Sequence, residues 1–79
     1  DKAIECFEKS YEIRKLVYID NPNHPYISSS LNNIGLVYKN KGEYDKALEY
    51  LNKSYEIRKI IYTNNPNHPD IANSLNNIG

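Results

Sequence analysis

The chain has 79 residues, enough for one small domain with a modest core. Its ten basic and ten acidic residues cancel, so it lacks the positive charge with which proteins hold nucleic acid or an anionic membrane surface. No run approaches the roughly 18 apolar residues of a membrane-spanning helix, and we therefore expect neither a nucleic-acid nor a membrane partner.

The single cysteine, Cys6, cannot close a disulfide within the chain. We interpret it as an ordinary helix residue in a reducing compartment, and we expect a cytoplasmic protein. Because the chain begins without Met and in the middle of a repeating pattern, we expect it to be a fragment of a longer protein.

An internal repeat organises the whole sequence. When the chain is shifted by 44 residues, 24 of the 35 paired positions are identical, and Leu-Asn-Asn-Ile-Gly at 31–35 returns unchanged at 75–79. A period of this length is typical of helical repeat proteins. We divide the chain into the second helix and linker of a truncated repeat (1–25), one complete repeat (26–69) and the truncated first helix of the next repeat (70–79).

Residues 2–19 are predicted to form the first helix, because they contain no Gly or Pro and carry an amphipathic stripe. The stripe comprises Ala3, Phe7, Ser10, Tyr11 and Arg14. Residues 20–25 are predicted to be a loop, since Pro22 and Pro25 exclude the helical conformation from the residues before them. Pro25 suits the first position of the next helix, with His24 or Asn23 as the N-cap.

The second helix is predicted over 26–40, with Ile27, Leu31, Ile34 and Tyr38 on its core face. Gly35 lies inside it, where Gly costs roughly 1 kcal/mol relative to Ala. We therefore expect Gly35 to permit the close approach of a neighbouring helix. Gly42 is predicted as the C-terminal cap.

The short connection at 41–43 predicts that the helices on either side of it are antiparallel neighbours. Residues 44–62 repeat the first helix, residues 63–69 repeat the loop, and residues 70–79 begin a fourth helix. The predicted fold class is all-α: antiparallel helix-turn-helix repeats of an α-solenoid fragment, with about four helices.

A set of bulky, small and aromatic residues recurs at characteristic separations: Leu31, Ile34, Gly35, Tyr38, Gly42, Tyr44, Ala47 and Leu51. In this spacing the chain resembles the tetratricopeptide repeat family. The long second helix and the linker ending in His68-Pro69-Asp70 look like its kinesin-light-chain subclass, with an unusual 44-residue period. The resemblance implies a non-enzymatic scaffold that binds protein or peptide along the concave face of the first helices.

A second, mostly polar stripe lies about 200° around the 26–40 helix from its core face. It comprises Ser29, Asn33, Leu36 and Asn40, and Asn73 and Asn77 extend it onto the fourth helix. The resemblance implies that this face lines a peptide groove and that Asn33 and Asn77 bond the ligand backbone, for which an amide has both donor and acceptor. Alternatively, these residues keep a solvated face soluble or bond a neighbouring helix. Asn32 and Asn76 are expected at the seam between repeats.

We expect no cofactor, metal or catalytic site. His24 and His68 occur once per repeat without a cluster of metal ligands, and we interpret them as loop-packing or capping residues. Arg14 and Arg58 are expected to be surface residues paired with carboxylates, with ligand binding as the alternative. The sequence contains neither a Ser-His-Asp arrangement nor a Gly-rich phosphate loop.

The alternative function is structural self-association. Repeat units share their core with their neighbours and usually need about three copies for stability. The two ends of this chain should therefore expose apolar surface, at Ile4, Phe7, Tyr11, Leu75 and Ile78. This hypothesis predicts a homo-oligomer formed by head-to-tail stacking or by helix exchange between copies.

Overall fold

Residues 2–79, which the computed structural model describes, form four helices connected by short loops. They are α1 (Lys2–Val17), α2 (Pro25–Asn40), α3 (Tyr44–Ile61) and α4 (Pro69–Ile78). The predicted all-α helical repeat is confirmed. The first helix ends two residues earlier than predicted, because the chain turns at Tyr18, whose carbonyl accepts from the Asn21 amide at 2.8 Å.

Each helix packs on the next along the chain, and α2 lies between α1 and α3. The most buried apolar side chains are Ile27, Leu31 and Ile34 of α2 and Ala47 and Leu51 of α3. The core of the molecule is thus the α2–α3 pair, with α1 and α4 added on its two sides.

Gly35 lies where α2 and α3 come closest. A Cβ atom at this position would lie 2.7 Å from Leu51 Cγ and 3.2 Å from the Ala47 carbonyl oxygen. Real Cβ atoms do not come as close as 2.7 Å to another carbon atom. Because glycine has no Cβ, the two helices can pack at this distance. The predicted close approach is confirmed.

Gly42 ends α2 with a φ of +82°, which is the left-handed conformation that favours glycine. Its amide donates to the Lys39 carbonyl, and the Glu43 amide donates to the Tyr38 carbonyl, both at 3.0 Å. This pair of bonds is a Schellman motif, which satisfies the last carbonyls of the helix and reverses the chain into α3.

The two double-proline loops have the same construction. His24 is the N-cap of α2, and its Nδ1 accepts from the Tyr26 amide at 3.1 Å. His68 does the same for α4, accepting from the Asp70 amide at 3.0 Å. Each imidazole also stacks on a tyrosine ring at the end of the preceding helix, with ring centroids 3.7 Å apart. The predicted capping role of these histidines is confirmed.

None of the helices described in residues 2–79 combines the length and apolarity needed to cross a bilayer.

Candidate protein-binding surface

The polar stripe predicted on α2 is solvent-accessible along its length. Asn33 and Asn40 are exposed, while Ser29 and Leu36 are half-buried. On α4, Asn73 is exposed and Asn77 is half-buried.

A hydrogen bond between two asparagines joins α2 to α4. Asn77 Nδ2 donates to Asn32 Oδ1 at 3.0 Å, and Lys39 Nζ donates to the Asn77 carbonyl at 3.1 Å. These bonds bring the polar faces of the two helices side by side. The donor group of the Asn77 amide is therefore engaged within the protein, whereas Asn33 and Asn73 present their amides to solvent.

Two arginines, one in each repeat, bridge neighbouring helices, and sequence reasoning missed this role. Arg14 Nη1 donates to Ser30 Oγ, and Arg58 Nη1 donates to Ser74 Oγ, both at 2.7 Å. Each also donates to a main-chain carbonyl in the first turn of the facing helix, that of Tyr26 or Asp70. The signal that could have revealed them is an Arg followed 16 residues later by a Ser, present in both repeats.

The expectation of a surface arginine was wrong for Arg58, whereas Arg14 is half-buried. Arg58 is only 9% exposed, and the nearby carboxylates of Glu12 and Glu56 pair instead with Lys15 and Lys59. A planar guanidinium reaches a hydroxyl and a carbonyl at once, which suits it to a site between two packed helices.

Serines supply a second kind of contact between helices. Ser54, which is fully buried, donates to the Ser28 carbonyl of α2 at 2.8 Å. Within residues 2–79, every buried side-chain nitrogen and oxygen has a hydrogen-bond partner. Directional bonds therefore act together with apolar packing to set how each helix sits on the next.

A sequence profile of the tetratricopeptide repeat matches residues 1–60, three quarters of the chain. The chain belongs to the tetratricopeptide repeat family. Repeats of this family are generally non-catalytic scaffolds that mediate contacts between proteins. Comparisons with curated proteins and with solved structures gave no match.

In this tetratricopeptide repeat chain, an open groove on α1 and α3 does not coincide with the polar stripe. The groove has a volume of about 580 Å³ and lies between α1 and α3. Glu5, Glu8, Tyr11 and Tyr50 are among its lining residues, and none of the six residues predicted on the concave face lines it. The groove and the stripe are thus separate surfaces.

A tyrosine pair joins the end of α2 to α3 beside this groove. The rings of Tyr38 and Tyr50 stack with centroids 5.7 Å apart, and the Tyr38 hydroxyl donates to Glu8 Oε1 at 3.4 Å. The pKa of both phenols is raised above the ordinary value of 10.0. Burial is the larger cause, and the negative charge of Glu8 is the next largest. Both rings therefore stay neutral at physiological pH.

Tyr62 and Asp70 form a hydrogen bond that exists in only one of the two repeats. The Tyr62 hydroxyl donates to Asp70 Oδ2 at 2.8 Å, whereas Tyr26 occupies the position that matches Asp70. The pKa of Tyr62 is raised above 10.0, mainly by this hydrogen bond and to a smaller extent by burial and by the negative charge of Asp70. The positive charge of Arg58 lowers it.

We expect Tyr62→Phe to lower the stability at neutral pH by about 0.5–1.5 kcal/mol through the lost hydrogen bond. Because the folded pKa is raised, the contribution of Tyr62 is fully present below the unfolded pKa of about 10 and is lost as the pH rises through the folded value. The variant should therefore lose less stability than the wild type between neutral pH and pH values above 10, as measured by urea unfolding. Tyr18→Phe is the matched control, and equal effects of the two substitutions would contradict the role of Asp70.

No group of three or more potential metal ligands occurs among the His, Cys, Asp and Glu side chains of residues 2–79. The Nδ1 atoms of both histidines accept the hydrogen bonds that cap the helices.

The residues predicted for the exposed ends differ in accessibility. Leu75 is exposed, and Phe7, Tyr11 and Ile78 are half-buried. Ile4 is only 8% exposed. It lies one helical turn before Glu8, whose carboxylate contacts Tyr38 of α2, so it shares the face that meets α2. Ile4 therefore does not contribute to an end surface.

Proposed function

We propose that the chain is a protein-interaction scaffold and that the joined polar faces of α2 and α4 bind an extended peptide. The observation that carries the proposal is the exposure of Asn33 and Asn73 on two helices held side by side by the Asn32–Asn77 bond. An exposed amide on a rigid helix can both donate to and accept from a peptide unit.

The kinesin-light-chain-like subclass is a finer part of this proposal. It is supported by the double-proline linker, in which a histidine caps the following helix and stacks on a tyrosine. The same construction in both repeats fixes the spacing between successive first helices, and hence the spacing of the asparagines that a peptide would meet.

We expect Asn33→Ala to weaken peptide binding by about 1–3 kcal/mol, the cost of leaving a desolvated peptide group without its partner. Peptides would be selected from a display library on the intact chain, and their affinities for the wild type and the variant would be measured by calorimetry. The fold should be unaffected, because Asn33 is exposed.

Asn52→Ala is the matched control, since it removes the same exposed amide from α3, away from the proposed face. If Asn33→Ala and Asn52→Ala bind the selected peptides equally well, Asn33 only keeps a solvated face soluble. If only the groove between α1 and α3 responds to substitution, the binding surface lies there instead.

A further inference from the structure

The charged residues of the chain are distributed unevenly among its helices. α1 and α3 contain seven charged residues each, whereas α2 contains only Lys39 and α4 only Asp70. The turn after α2 adds Lys41 and Glu43, whose charges are opposite. Although 25% of the residues in the chain are charged, the two helices that carry the polar stripe are almost free of charge.

The two charged side chains of α2 and α4 are engaged by neighbouring groups of the chain. Lys39 Nζ donates to the Asn77 carbonyl at 3.1 Å. The carboxylate of Asp70 accepts from the Tyr62 hydroxyl at 2.8 Å and lies 3.9 Å from His68 Nδ1. The polar groups that this face offers to a ligand are therefore mainly amides and hydroxyls.

The seam between α2 and α4 shows how amide groups pair on this face. Asn77 Nδ2 donates to Asn32 Oδ1 at 3.0 Å, and both residues are half-buried. The bond leaves the Oδ1 atom of Asn77 and the Nδ2 group of Asn32 for a further partner. One acceptor and one donor on bonded amides match the N–H and C=O of a peptide unit, and equally the NH2 and C=O of a carboxamide side chain.

We propose that the peptide bound on this face is uncharged, with Asn, Gln, Ser or Thr side chains directed at α2 and α4. This ligand class rests on the peptide-binding function proposed above. A charged side chain facing these amides would lose water without gaining an opposite charge, and such desolvation is costly. A carboxamide or a hydroxyl instead exchanges its hydrogen bonds with water for bonds with the amides of the face.

The charges of α2 and α4 are set by their own sequences. Residues 25–38 of α2 and residues 71–78 of α4 contain no charged side chain. A helix packed before or after this pair would lengthen the face, and it would leave the charge of these two stretches as it is.

The first test is a peptide library displayed against the intact chain at about 50 mM salt, where attraction between charges is weakly screened. This condition favours charged peptides, so it is stringent for the proposal. We expect the selected peptides to be enriched in Asn, Gln, Ser and Thr and depleted in Asp, Glu, Lys and Arg. Their affinities, measured by calorimetry, should change by less than about twofold between about 50 mM and about 500 mM salt.

The second test adds a charge of either sign to the face. Asn33 is exposed, and residues 29–37 around it contain no charge. Both Asn33→Asp and Asn33→Lys should bind the selected peptides at least about fivefold more weakly than the wild type. Neither should bind more tightly than Asn33→Ala, which removes the amide without adding a charge. Asn52→Asp and Asn52→Lys on α3 are the controls and should bind like the wild type, and circular dichroism checks that each variant is folded.

The outcomes separate the ligand class from the peptide-binding function. If Asn33→Asp strengthens binding and Asn33→Lys weakens it, the ligand is basic, and the reverse pattern indicates an acidic ligand. Either pattern, or a loss of more than about tenfold in affinity at the higher salt concentration, overturns the uncharged class while peptide binding at this face stands. If no peptide is selected, or if Asn33→Ala binds as tightly as the wild type, the proposed binding at this face fails and the ligand class fails with it.

Discussion

Replacement of Ile34 by Ala is expected to destabilise the chain by about 2–5 kcal/mol, the usual cost of deleting a large side chain from a packed core. Ile34 has no exposed surface, and it lies in α2, which contacts helices on both sides. Stability in globular proteins is only about 0.05–0.15 kcal/mol per residue. In a chain of 79 residues, this single change should remove a large part of the total, or all of it.

Urea unfolding followed by circular dichroism measures the effect, with Ile78→Ala as the matched control. Ile78 occupies the same position in the next repeat and is half-buried, so its replacement should cost clearly less. Equal losses at the two positions would mean that α2 is not the centre of the core.

Replacement of Gly35 by Val is expected to cost about 3 kcal/mol, near the upper end of what overpacking a core usually costs. A single carbon at this position would already lie 2.7 Å from Leu51 Cγ and 3.2 Å from the Ala47 carbonyl oxygen. The two helices would have to separate, and the buried contacts between them would weaken. Thermal unfolding of the variant provides the measurement.

Two further variants isolate the cause of that loss. A Cβ atom at Gly79 would meet nothing closer than the Leu75 carbonyl oxygen at 3.5 Å, so Gly79→Val should be nearly neutral. Leu51→Ala makes room beside Gly35, and the double variant should therefore lose less than the sum of the two single losses, by at least about 1 kcal/mol. Additive losses would indicate that backbone conformation, and not the contact with Leu51, requires glycine.

The features that the sequence predicts well are those determined within one helix or one loop. The helices follow from apolar residues at helical spacing, and the caps at His24 and Gly42 follow from the conformations that Pro25 and glycine impose. The role of Gly35 was also predictable, because an interior glycine in both repeats is costly unless a neighbouring helix needs the space.

The features that the sequence did not predict depend on how one helix is rotated against another. Arg58 was expected to pair with a carboxylate on its own helix, yet it reaches Ser74 on α4. Ile4 was expected at an exposed end, yet it is only 8% exposed. For the same reason, periodicity places Asn33 and Asn77 on one stripe but does not reveal that the Asn77 amide is engaged by Asn32. The peptide-binding role of the stripe stays a prediction.

The Tyr38–Tyr50 stack has a consequence for how the chain folds. Since α1 and α3 share most of their sequence, α1 could dock on α2 in the place of α3, and mispairing of this kind is a known failure of repeat proteins. The residue of α1 that matches Tyr50 is Cys6, which offers no ring to Tyr38. Stacked aromatic pairs contribute about 0.5–1.5 kcal/mol, so one substitution between otherwise similar helices favours the correct partner by about twofold to tenfold.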